Sequence, residues 1–200
     1  MDIDTIRTYD KDAHGYAAQW EEEQAAPEDL RAAVRAYFNP GPSVDVGCGS
    51  GRDTAWLAKQ GFDVLGVDAA AGLLAEARRR HPEVTFEVDA LPALAKLGDR
   101  IFTNVLCETV IMHLEQFDAI AATQRLAGLL APGGTLYLSW RVGDGANRRD
   151  EAGRLYAALG TEAVRASLAG LEVLLDEERV SESSKKGIHR IVARRANPKG

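Results

Sequence analysis

Short apolar runs alternate with longer stretches of helical periodicity through the middle of the chain. Residues 43–46, 62–67, 84–88, 101–107 and 135–140 read as strands. Between them, helical spacing runs from the glycine turn after residue 46 through 59, then over 70–80 and 116–130, with a short helix at 91–97. Strand–helix alternation of this kind predicts a parallel sheet with helices on both faces. Two helices are predicted upstream, over 5–20 and 27–38, with Pro27 suited to a first turn and Asn39-Pro40-Gly41-Pro42 as the break. Downstream, Thr161 is an expected N-cap for a helix through 169. Residues 171–180 and 187–195 then read as two strands. The link between them, Ser181-Glu182-Ser183-Ser184-Lys185-Lys186, is too short for a crossover helix, so the pair should be antiparallel.

No repeat interrupts this pattern, and 200 residues suit one core. The expected organisation is a single domain, with a helical cap at 1–38, a core at 43–195 and a loose tail at 196–200. Composition adds exclusions. Hydrophobic residues are 46% and charged residues 27%, an ordinary globular balance. A net charge of −6 and a pI near 5.3 do not attract a phosphate backbone, so no nucleic-acid partner is expected. Arg148, Arg149 and Arg154 nevertheless lie close in sequence. No apolar run reaches the roughly 18 residues of a membrane span. The opening Met1-Asp2-Ile3-Asp4-Thr5 does not resemble a signal peptide, and a cytoplasmic location is expected. Cys48 and Cys107 form neither a disulfide framework nor a metal-binding spacing, and no metal is expected.

Candidate chemistry centres on Val44-Asp45-Val46-Gly47-Cys48-Gly49-Ser50-Gly51-Arg52, which joins a strand to a helix. Glycines there allow a tight turn and close approach of a ligand to the backbone. The following helix presents free N–H groups. A dinucleotide fingerprint needs its third glycine where Arg52 stands, which disfavours a nicotinamide oxidoreductase. Asp45 suits a ligand bearing an ammonium group. Asp68, closing Leu65-Gly66-Val67-Asp68, is placed to accept bonds from ribose hydroxyls or to cap a turn. Asp89, at the next strand end, suits an adenine amino group or the N-cap of the short helix after it.

These motifs resemble the class I S-adenosylmethionine (AdoMet)-dependent methyltransferases, the small type 11 group in particular. The resemblance runs from Ser43 to about Trp140 and includes Leu130-Ala131-Pro132-Gly133-Gly134-Thr135-Leu136 before the fifth strand. It implies a Rossmann-like, doubly wound α/β fold with a seven-stranded sheet in the order 3-2-1-4-5-7-6, strand 7 antiparallel. It assigns to the cofactor Tyr16, Asp45, Gly47, Cys48, Gly49, Gly51, Arg52, Asp68, Ala69, Asp89, Ala90 and Cys107, with S-adenosylhomocysteine (AdoHcy) as product. Tyr9, Tyr16 and Trp20 resemble the helix that covers the site in this group; ordinary helix packing is the alternative. The sequence departs from the family in having Phe102-Thr103 where an acid usually follows the aromatic residue.

The implied reaction is methyl transfer to a small-molecule acceptor, by a monomer or homodimer. A non-catalytic AdoMet sensor or partner subunit is the alternative. The Asn/Asp-Pro-Pro-Tyr motif of base methylation is absent; Cys107-Glu108-Thr109-Val110-Ile111-Met112-His113-Leu114 stands there instead. Glu108 and His113 are the candidate general bases. Glu108 also reads as a solvated loop acid, and His113 as a packing or capping residue. Arg141-Val142-Gly143-Asp144-Gly145-Ala146-Asn147-Arg148-Arg149 reads either as a solvated charge run or as a hold for an anionic acceptor.

Overall fold

The computed structural model describes residues 1–143 and 145–197. Asp144 of the arginine-containing loop and residues 198–200 of the expected loose tail lie outside the described residues. Among the described residues nine strands form: β1 (Pro42–Val46), β2 (Asp63–Asp68), β3 (Thr85–Val88), β4 (Phe102–Cys107), β5 (Leu130–Arg141), β6 (Arg148–Arg149), β7 (Leu155–Tyr156), β8 (Leu171–Val180) and β9 (Gly187–Arg195). Seven of them make one sheet, ordered β3-β2-β1-β4-β5-β9-β8. This is the predicted topology. β1 through β5 pair in parallel, and β9 runs antiparallel to both β5 and β8.

Alternation along the central strands explains the layering. Val105 and Cys107, Leu136, Leu138 and Trp140, and Ile191 and Ala193 face the larger core, with Ala119, Ala122 and Leu126 of α6 (Gln116–Gly128). Leu106, Tyr137 and Val192 face the other way, toward Leu30, Ala33 and Val34 of α3 (Glu28–Tyr37). Thus α3 packs on the sheet, and only residues from 1–24 of the N-terminal stretch reach the cavity described below.

Several boundaries differ from the sequence reading. The expected helix at 5–20 is broken into α1 (Ile3–Lys11) and α2 (Ala13–Ala18), followed by a π-helical turn at Gln19–Glu23. Asp12 leaves the helical region at φ −131°, ψ 42°, and its carboxylate fills the space a Cβ on Gly15 would need. At 91–97 only Ala95–Leu97 winds, as a 3-10 turn; Pro92 supplies no N–H and Leu94 sits at φ 47°. β5 starts at Leu130, which pairs with Phe102 before a register shift to Asn104↔Thr135. The Pro132-Gly133-Gly134 turn is therefore a bulge inside the strand, with Gly133 at φ +74°. Gly160, rather than Thr161, holds the N-cap position of Thr161–Ala166.

The ribbon of β6 and β7 was not anticipated, and it is fastened to α1. Asp2 caps α1 by accepting from the Thr5 N–H (2.8 Å) and takes two bonds from Arg149 (3.0 and 2.7 Å). Leu155 N–H donates to Thr5 Oγ1 (2.9 Å), and Thr8 Oγ1 donates to the Ala152 carbonyl (2.9 Å). Asp2→Ala should loosen this clasp. An N-cap of this kind contributes about 1 kcal/mol, while the exposed ion pair adds little. Amides of Ile3–Lys11 should then exchange about fivefold faster in hydrogen-exchange mass spectrometry, with the sheet unaffected. Unchanged exchange in α1 would show that the clasp does not hold it.

Candidate functional site

The carboxyl ends of β1 to β5 open into one cavity, roofed by α1 and Trp20 and closed on one side by the ribbon. This is the switch point of the sheet, where β1 leads outward to β2 and β4 leads the opposite way to β5. Of the residues singled out from sequence, Gly47, Cys48, Gly49, Arg52, Asp68, Ala69, Asp89, Glu108 and His113 line it. Tyr16, Asp45, Gly51, Ala90 and Cys107 do not. Tyr16 stacks on Trp20 (5.6 Å) and meets the Tyr9 edge (4.9 Å), and both of those rings line the cavity. Cys107 belongs to the main core.

Asp45 is the clearest displacement from expectation. It is 3% exposed and accepts a 2.6 Å bond from Thr54 Oγ1, beneath the glycine turn rather than in the cavity. Burial, with Asp53 nearby, pushes its carboxyl up to about 7. The acid that does line the cavity from this corner is Asp53, in the first turn of α4 (Arg52–Lys59). Arg52 grips it through two bonds (3.1 and 2.8 Å).

Gly47, Gly49 and Gly51 sit at φ +77°, +56° and +86°, so the turn needs residues without a Cβ. Asp68 ties it down: Oδ2 accepts from the Gly49 N–H (2.9 Å) and Oδ1 from the Ala70 N–H (2.8 Å). Burial raises the Asp68 carboxyl above its ordinary value despite these bonds. Asp89 binds the Ala90 N–H through Oδ1, and the Lys96 and Leu97 N–H groups (2.8 and 3.1 Å) through Oδ2. It thus holds the 3-10 turn and lines the cavity at once.

On the far side, Ser139 donates to Glu108 and accepts from the Thr109 N–H (3.0 Å). Thr109 stands at φ 53°, a strained position for a β-branched residue. Burial pushes Glu108 from 4.5 to about 7. A carboxyl raised in the folded state costs no stability below 4.5; the cost of ionising it grows as pH rises to about 7 and is constant above. Glu108→Gln should therefore gain thermal stability relative to the wild type across that window. The gain should be a few degrees, since about 1 kcal/mol moves Tm by roughly 2–4 °C in a chain of this size. Asp45 has the same sign, so the pH slope should shrink without vanishing. Parallel Tm–pH curves for the two proteins would refute the burial assignment.

His113 is 4% exposed, and burial lowers its pKa to about 4. Its Nδ1 lies 2.6 Å from the Leu155 carbonyl, which can only accept, so Nδ1 carries the proton. Nε2 then accepts from the Tyr9 hydroxyl at 3.0 Å. Arg154 stacks over the Tyr9 and Tyr16 rings (5.4 and 5.0 Å) and pairs with Asp150 (2.6 Å). Sequence reasoning missed Asp53, Tyr156 and the serines of the β8–β9 link, Ser181, Ser183 and Ser184, which also line the cavity. Asp53 was visible as an acid in a helix's first turn; the serines carried no signal beyond a turn.

Comparison with known proteins fits this geometry. Residues 44–134 match the family described as methyltransferase domain. The trans-aconitate 2-methyltransferase of Rhodopseudomonas palustris (strain BisA53) is 37% identical over 123 residues, covering 59% of this chain and 45% of that protein. The chain spans about half the length of the curated relatives it matches. Burkholderia thailandensis 1,6-didemethyltoxoflavin-N1-methyltransferase, solved with bound 1,6-didemethyltoxoflavin and AdoHcy, superposes with a TM-score of 0.72 at 24% identity, over 96% of this chain and 88% of that one. The [4+2]-cyclase SpnF superposes with a TM-score of 0.70 at 18% identity, over 96% and 94%. At such identities the two structures establish the fold alone, and SpnF shows that the fold hosts more than one chemistry. The matched segment, residues 44–134, is just under half of this chain and is similar to the methyltransferase domain family. Among the described residues, no helix is long and apolar enough to cross a membrane.

Proposed function

We propose that this chain binds AdoMet and transfers its methyl group to a small-molecule acceptor. The observation that carries this reading is the pair of carboxylates, Asp68 and Asp89, at successive strand ends beside a glycine turn that opens into the same cavity. The cavity fits a nucleoside joined to a charged amino acid. Asp68 retains free lone pairs for ribose hydroxyls after binding two N–H groups. Asp89 is placed for an exocyclic amine. The backbone at Gly47 and Gly49 carries no Cβ to block approach. Asp45 takes no direct part; through Thr54 it fixes the turn from below.

AdoMet, when bound, supplies a methyl already activated on a sulfonium. The protein's residues need to align the acceptor and exclude water, an effect worth roughly 7–11 kcal/mol at best. Tyr9 and Trp20 roof the cavity, and His113 positions Tyr9 by accepting a hydrogen bond from its hydroxyl. Glu108 has the pKa of a usable base near neutral pH, and it receives a proton when the acceptor is protonated. The small-molecule acceptor accords with the first relative, named for trans-aconitate. Isothermal titration with AdoHcy, then tritium transfer from labelled AdoMet into a metabolite extract, tests the reading. Absence of binding overturns it. Binding without transfer to any component makes the chain an AdoMet-binding protein instead.

A further inference from the structure

The cavity is divided by charge. Asp53, Asp68, Asp89 and Glu108 line the half under β1 to β4, whereas Arg141 and Arg154 line the half formed by the end of β5 and the ribbon. Arg52, on the acidic side, is already paired with Asp53. A cationic cofactor has its counter-charges in the first half. The second half faces where an acceptor would lie, and its two guanidiniums are not equivalent. Arg154 is neutralised by Asp150 and wedged between tyrosine rings. The guanidinium of Arg141 lies 5.5 Å from the centre of the Tyr156 ring. It makes no hydrogen bond or ion pair with any of the described residues, and its Nε is shielded from solvent without a partner. Arg148 stacks on the same ring from outside the cavity, also at 5.5 Å.

An arginine set over an aromatic ring, with its buried Nε unpaired among the described residues, is a poor stabiliser of a fold. A buried donor left without a partner is costly. The same planar fork matches the oxygens of a carboxylate or phosphate. In a chain of net charge −6, three guanidiniums lie around one tyrosine, and among the described residues only that of Arg154 has a carboxylate partner, which makes a local field of the opposite sign.

We propose that Arg141, seated on Tyr156, docks an oxyanion group of the methyl acceptor, so that the acceptor is a small organic anion. The proposal rests on the methyltransferase reading above and deepens it. The acceptor's anionic end would sit on Arg141 and its reacting atom would point toward the acidic half, where the donor methyl is held.

The test titrates AdoHcy-saturated and free protein with three probes: tricarballylate, inorganic phosphate and the neutral trimethyl ester of tricarballylate. Wild type, Arg141→Gln, Arg141→Lys and Arg148→Gln are compared, and AdoHcy affinity is measured for each. The expected result is that wild type binds tricarballylate or phosphate and not the ester. Arg141→Gln should weaken that binding at least tenfold while leaving AdoHcy affinity within twofold. Arg141→Lys should fall between, because it keeps the charge and loses the fork. Arg148→Gln should change little. Whichever anion binds more tightly identifies the group recognised. The inference is overturned if no anion binds the wild type, if Arg141→Gln binds anions equally well, or if AdoHcy affinity falls instead, which would give Arg141 to the cofactor. Failure of AdoHcy to bind the wild type overturns the methyltransferase reading and is scored separately from the anion titrations of the free protein.

Discussion

Gly49→Val is expected to lower AdoHcy affinity at least a hundredfold in a protein that still folds. Gly49 adopts φ +56°, and a Cβ there would lie 2.8 Å from the Trp20 ring. Valine adds two methyl groups beyond that atom and disfavours positive φ. The turn or the roof must therefore move. If the turn moves, the 2.9 Å bond from the Gly49 N–H to Asp68 is lost. Strain of about 1–3 kcal/mol and a charge-assisted bond of about 1.5–3 kcal/mol together correspond to roughly two or more decades of affinity. Circular dichroism separates loss of binding from loss of fold. A folded Gly49→Val protein with normal AdoHcy affinity would show that the glycine turn is not the cradle.

Asp68→Ala should cost at least tenfold in AdoHcy affinity. It removes acceptors for ribose hydroxyls and releases the Gly49 and Ala70 N–H groups. Each hydrogen bond to a charged group contributes about 1.5–3 kcal/mol, and 1.4 kcal/mol is tenfold. Asp68→Asn should be intermediate, because its amide nitrogen cannot accept from the second N–H. Titration of both variants measures the difference. Equal affinities in the wild type and Asp68→Ala would remove Asp68 from the site.

The sheet was legible because its strands are bounded apolar runs, and because the six-residue link after residue 180 permits only an antiparallel return. The glycine turn was legible because Gly47, Gly49 and Gly51 punctuate a strand-to-helix join. What escaped depends on side-chain direction or on partners distant in sequence. Asp45 neighbours the turn, yet alternation along β1 points it at Thr54, and spacing alone cannot distinguish above from below. The 148–156 ribbon has two-residue strands, too short for any periodicity. The break at Asp12 comes from its carboxylate folding over Gly15, an interaction a helical pattern does not encode. Arg141, in the 141–149 run, and Arg154, grouped with Arg148 and Arg149, looked alike as basic residues; the pairing of Arg154 with Asp150 tells them apart.

The clasp between α1 and the ribbon has a kinetic consequence. Segments nearly 150 residues apart, joined by Asp2–Arg149, Thr5–Leu155 and Thr8–Ala152, form two walls of one chamber. If exit from the chamber requires those links to part, release follows lid opening, on the scale of microseconds to seconds, rather than free diffusion. Turnover would then be paced by departure of a nine-residue helix, and a substitution at Asp2, which is not itself among the chamber's lining residues, would appear in the release rate before it appeared in the chemistry.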